Sequence, residues 1–172
     1  MPVAVVAASP DSPVTASPPT SNGVLDALQE SVRAHWTAIH QYSILAAHFL
    51  RWGYLKLYAS ASADVKEEQE HLHRLLLRLE FFDTAPKFYP SAVEELPRHD
   101  FSAILAANLA LERTAAAIEQ AGIKRARDGR DELTAEVFEE NLKGSEDAIR
   151  DITAAQRIVS QIGLDNYLAN QT

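Results

Sequence analysis

Apolar residues recur three and four positions apart between residues 25 and 49, where Leu25, Leu28, Val32, His35, Ile39, Tyr42, Ala46 and Phe49 fall on one side of a helix. Three further stripes follow the same spacing. The second runs through Val65, Glu68, His71, Leu75, Leu79 and Phe82, and the third through Phe101, Leu105, Asn108, Glu112, Ala115 and Glu119. The fourth runs through Phe138, Leu142, Ser145, Ile149, Ile152 and Val159. The pattern predicts four long helices over about 23–52, 56–84, 99–127 and 131–162. Gly53, Gly129 and Gly163 sit where these patterns pause or end, as glycine does at helix C-termini, and a short fifth helix is expected after Gly163.

The prolines divide the chain. Pro2, Pro10, Pro13, Pro18 and Pro19 crowd the first twenty residues among Ala, Val, Ser and Thr, so residues 1–22 read as a disordered tail. That stretch holds no Lys or Arg and so lacks the basic start of a secretory signal. Pro86, Pro90 and Pro97 fall together between the second and third helices. Short connections make the first and second helices antiparallel neighbours, and likewise the third and fourth. The Pro-bearing segment is long enough to cross the length of the bundle. The expectation is an all-α fold in which residues 23–172 form one domain, a four-helix bundle with one long crossover and a short fifth C-terminal helix.

Composition narrows the chemistry. With 16 basic and 24 acidic residues the net charge is −8, which disfavours the phosphate contacts of nucleic-acid binding. No apolar run approaches the roughly 20 residues of a bilayer span, so no membrane partner and a cytoplasmic location are expected. There is no cysteine, so a metal would have to be held by His, Asp or Glu.

Four polar residues stand out inside the apolar stripes near mid-helix: His35, Glu68, His71 and Glu112. Buried charge is costly unless it is paired or bound to metal. Glu68 and His71 have the Glu-x-x-His spacing that sets both side chains on one helical face, a spacing used by carboxylate-bridged iron bundles. Two carboxylates with neutral histidines balance one divalent cation, so one ion per chain is expected if metal binds, whether iron or another divalent metal. The alternative is a metal-free network in which His35 and His71 are protonated and paired with Glu68 and Glu112. Glu119 lies two turns closer to the end of its helix, is expected to reach water, and is not counted as a ligand.

Ala38-Ile39-His40-Gln41-Tyr42, Arg51-Trp52-Gly53, Leu109-Ala110-Leu111-Glu112 and Ile162-Gly163-Leu164-Asp165-Asn166-Tyr167-Leu168 resemble bacterioferritin motifs, in order and with nearly that family's spacing. The resemblance covers roughly residues 23 to 170 and is most specific at the Gly-Leu-x-Asn-Tyr-Leu stretch. It implies a ferritin-like fold and a shell, usually of 24 subunits, that oxidises ferrous iron and stores it. Members of the family hold two irons with a Glu on the first helix, Glu-x-x-His on the second, Glu on the third and a second Glu-x-x-His on the fourth. Glu68, His71 and Glu112 match these positions, but His35 replaces the first Glu, and the fourth-helix pair falls on Ser145 and Ala148. A local bulge next to Gly144 would be needed to turn Glu146 or Asp147 inward. The position of the family's haem-binding methionine is Gln69, so haem held through Met is not expected. Tyr42 matches a tyrosine near the iron centre, although a core aromatic with a bonded hydroxyl is the preferred explanation.

The leading expectation is therefore a bacterioferritin-like iron-storage shell subunit with an incomplete ferroxidase centre, weak or inactive alone, that self-associates or joins a sister subunit with an intact centre. A second is a mononuclear non-haem metal protein using His35, Glu68, His71 and Glu112. A third is a metal-free structural or scaffold shell subunit. A DNA-protecting miniature ferritin is disfavoured, because such shells lack the fifth-helix signature.

Overall fold

A computed structural model of the chain describes residues 22–87 and 100–172, so the expected tail and most of the crossover lie outside the described residues. Four long helices are present: α1 (Asn22–Trp52), α2 (Leu55–Phe81), α3 (Phe101–Asp128) and α4 (Glu132–Ile162). The short α5 (Leu164–Ala169) follows. Every stripe position on α1, α2 and α3 is buried or half-buried, which is why these four segments fold as a bundle and not as isolated helices.

The turns follow from local chemistry. Gly53 and Gly163 adopt φ of +83° and +82°, a region open to glycine without penalty, and each ends a long helix. At the α3–α4 turn Gly129 is the C-cap of α3, as expected, but with a different dihedral from the other two. Gly129 keeps a right-handed φ of −82°, and Arg130 takes the positive φ of 58° instead. Asp131 then caps α4 by accepting from the Thr134 amide at 3.1 Å, while Asp100 caps α3 through Ala103 at 3.0 Å.

Helix α1 packs on α2, and α3 on α4, with α1 against α3; α2 and α4 meet much less closely. Two apolar clusters result. Val24, Leu28, Val32, Leu75, Leu79, Ala126 and Phe138 fill one end of the bundle. Tyr42, Leu45, Phe49, Phe101, Ile104 and Leu105 fill the other, where Tyr167 of α5 lies 5.5 Å from the Phe101 ring. A layer of buried polar side chains separates the two clusters.

Two expectations change. The stripe on α4 passes through Asn141, which is fully buried, and not through the half-buried Leu142. Helix α3 is long and apolar enough by length and composition to cross a bilayer, contrary to the expectation that no run approaches that limit. Its polar members Asn108, Glu112 and Glu119 are nonetheless buried within the bundle.

One contact tests the packing. A Cβ at Gly122 would lie 2.7 Å from the ring of Phe138, itself fully buried. Gly122→Ala is therefore expected to lower stability in a denaturant titration. Overpacking of about 1–3 kcal/mol outweighs the gain of about 1 kcal/mol in helix propensity. A more stable variant would mean that the ring moves freely.

Candidate metal centre

The polar layer is built by residues from all four long helices. His35 on α1 lies at its centre, with none of its surface exposed. Its Nδ1 is 2.6 Å from Glu68 Oε2 on α2, and its Nε2 is 2.9 Å from Glu119 Oε1 on α3. Ser31, one turn before His35, donates to the same Glu119 oxygen at 2.5 Å. The expectation that Glu119 reaches water is thus corrected. Helix α3 continues for two more turns to Asp128, and the first apolar cluster closes over that end, so a side chain at 119 has no route to solvent.

His71 stands beside this pair, its ring centroid 5.1 Å from that of His35. Its Nδ1 is 3.7 Å from Glu68 Oε1 and has no hydrogen-bond partner. His35, Glu68 and His71 offer ligand atoms within 4.8 Å of one another, so three of the four residues singled out in the sequence form one cluster of the kind that can hold a metal ion. Glu112 occupies the same layer but accepts a 2.5 Å hydrogen bond from the Tyr42 hydroxyl. Tyr42 is thus a buried aromatic with a bonded hydroxyl that reaches the cluster through Glu112.

Helix α4 contributes Asn141, Gly144 and Ser145. Asn141 donates to the His71 carbonyl at 3.4 Å. Ser145 Oγ is buried without a partner. Gly144 has a specific role, because a Cβ there would lie 2.6 Å from His71 Nε2. The imidazole rests against the bare helix backbone. No bulge redirects the neighbouring acids: α4 is unbroken through this stretch, Glu146 is exposed, and Asp147 pairs with Arg150.

These contacts set the charges. Burial alone would lower the His35 pKa, but the hydrogen bonds to Glu119 and Glu68 outweigh it and raise it to about 9. Burial would raise Glu68, yet His35 and His71 bring it down to about 2. For Glu112, burial and the nearby Glu68 charge prevail and raise it to about 7. Burial and Glu112 push the Tyr42 hydroxyl well above its ordinary range. Next to the layer, a cavity of about 240 Å³ lies between Tyr42, Phe101 and Asn108 within the bundle and Asp64, Glu67 and Asp151 at its rim. Asp64 is raised to about 6 by burial, then by Glu67, Glu68 and Asp151.

The residues do not fit a resident two-ion centre. Such a centre needs carboxylate or imidazole from all four helices, and α4 turns only an amide, a hydroxyl and a glycine toward the layer. Sequence reasoning missed Ser31, Glu119 and Asn141. Ser31 precedes His35 by one turn and Glu119 follows Glu112 by two, so both were on the correct faces.

Comparison with known proteins agrees with this architecture. A family model for a ferritin-like domain matches residues 25–161. The chain is 27% identical over 149 residues to a bacterial ferritin of Pseudomonas aeruginosa, covering 86% of this chain and 96% of that protein. It is 26% identical over 152 residues to a bacterial ferritin of Neisseria meningitidis serogroup B, covering 88% and 97% respectively.

The charge arrangement fixes a pH dependence. His35 is held above its ordinary 6.5, so its stabilisation is complete below that pH and is lost as pH rises through about 9. Glu112 and Asp64 are held above their ordinary 4.5 and 3.8, so each weakens the fold as pH climbs to about 7 and about 6. Glu68 is held low, and its contribution is lost as pH falls from 4.5 toward 2. Thermal melts followed by circular dichroism should give a midpoint highest around pH 5 and falling toward pH 9. A midpoint that climbs over that interval would contradict the assignment.

Proposed function

We propose that this chain, which belongs to the ferritin-like family, is an iron-storage shell subunit that does not complete a two-iron oxidation centre of its own. The observation that carries this reading is the composition of α4: Asn141, Gly144 and Ser145 are its residues at the polar layer, and Ser145 and Ala148 hold the two positions matched to the family's fourth-helix ligands. Glu112, the third-helix carboxyl group, already accepts from Tyr42. The named relatives are bacterial ferritins matched along nearly their whole length, which supports storage and a soluble, cytoplasmic setting. Exposed apolar side chains such as Trp36, Leu50, Leu77 and Phe81 support burial against further subunits, in a shell of this chain alone or together with a sister subunit that oxidises iron. Iron is then cargo, and acids such as Asp64 and Glu67 on the more open α2–α4 side supply carboxylates for it.

A second reading has one observation in its favour. The unpartnered Nδ1 of His71, 3.7 Å from Glu68 Oε1, is half of a site for a single divalent ion, with His35 and Glu112 as the remaining donors. One experiment separates the two. Mineral-free protein is given ferrous iron in air and ferric absorbance is followed, with bound metal measured after dialysis. The storage reading expects slow oxidation without a rapid step consuming two irons per subunit. A rapid stoichiometric two-iron step overturns it, and one tightly retained ion per chain favours the second reading.

A further inference from the structure

We propose that the His35 side chain is itself the cation of the polar layer: clasped by Glu68 at one ring nitrogen and Glu119 at the other, it joins three helices without a metal ion. The inference is independent of the storage reading, since a chain that stored nothing would still show it.

The geometry carries it. A carboxylate can only accept hydrogen bonds, and an imidazole donates from both nitrogens only when it is protonated. Both nitrogens of His35 lie within hydrogen-bond distance of carboxyl oxygens, at 2.6 and 2.9 Å, on two different helices. To ligate a metal, a histidine nitrogen must present a free lone pair. A doubly protonated His35 has none to present at either nitrogen. Ser31 supports the clasp by bonding the same Glu119 oxygen from α1, so that α1 grips α3 twice in one turn. The residues facing His35 are Glu68 and His71 on α2, Glu119 on α3 and Asn141 on α4, whose amide nitrogen lies 3.4 Å from His35 Nε2. No lysine or arginine enters this set. Of the two imidazoles in the set, His35 alone has both ring nitrogens within hydrogen-bond distance of carboxyl oxygens, so we place the buried positive charge there.

The unpartnered Nδ1 of His71 does not replace this arrangement. His71 Nδ1 and Glu68 Oε1 face each other, but Glu68 is the same carboxylate that holds His35 through its other oxygen. An ion bound there would withdraw negative charge from the clasp. Metal and imidazolium thus compete for one carboxylate, and the 2.6 Å contact from His35 already engages it.

The test uses the full-length, mineral-free particle. Melting midpoints are measured in EDTA and in excess zinc(II), a redox-silent ion that accepts His and Glu ligands. Unchanged protein should melt at the same temperature in both. His35→Glu puts three carboxyl groups together with no internal cation and should melt lower in EDTA, with a rise on adding zinc. His35→Gln, which is neutral, should melt lower in both media. Solid-state NMR of protein labelled with ¹⁵N-histidine should show an imidazolium with both nitrogens protonated at pH 7, and that signal should vanish in His35→Gln. The proposal is overturned if the unchanged protein melts lower in EDTA than in zinc, or if no such imidazolium signal is found. It is also overturned if His35→Glu is indifferent to zinc. Should either variant fail to fold, the paired melts and spectrum of the unchanged protein decide the matter.

Discussion

The structure is organised by the cost of holding charge away from water. Two apolar clusters fill the ends of the bundle, and between them lies a layer in which Glu68, Glu119, Glu112, His35 and His71 are all buried. In a medium of low polarity an isolated carboxylate is far too expensive to keep, so each group must find its counterpart inside the layer. The close pairing of His35 with Glu68 and Glu119 meets that demand across three helices, and the Tyr42 hydroxyl meets part of it at Glu112. Helix positions and the short turns bring these few side chains to one level.

The fold was legible because periodicity is a strong signal in long amphipathic helices. The stripes through Leu28, Val32, His35 and Tyr42, or through Glu68, His71, Leu75 and Leu79, coincide with buried faces. Finer features were less visible. Leu142 and Asn141 both fit a three-and-four spacing from Phe138 and Ser145, and hydrophobicity favours Leu142. A hydrogen bond to the His71 carbonyl, on another helix, makes Asn141 the buried one. Glu119 was misjudged for a related reason: distance from a helix end measures access to water only when no neighbouring element covers that end. Here Ala126 and Phe138 do so. At the α3–α4 turn, Gly129 marked the place, but Arg130 adopted the unusual dihedral, because the turn needed its strained residue one position later.

The candidate site was legible as a set of residues and not as a set of bonds. His35, Glu68, His71 and Glu112 were identifiable as polar intrusions in apolar stripes. Their proximity in space agrees with that. Which carboxyl faces which nitrogen depends on rotamers and on the phase of three helices, and sequence spacing along one helix carries no such information.

Gly144 has a consequence that reaches beyond local packing. By leaving the α4 backbone bare, it gives the His71 ring a seat that any larger residue would close. Installing a glutamate at 145 and a histidine at 148 would supply the absent donors, yet the ring would still lean into the helix that carries them, and His35 would still hold Glu68. A two-ion centre at this level would therefore call for changes on α1 and α4 together. The glycine thus couples two helices: what α4 can carry at this level is limited by where the ring from α2 rests.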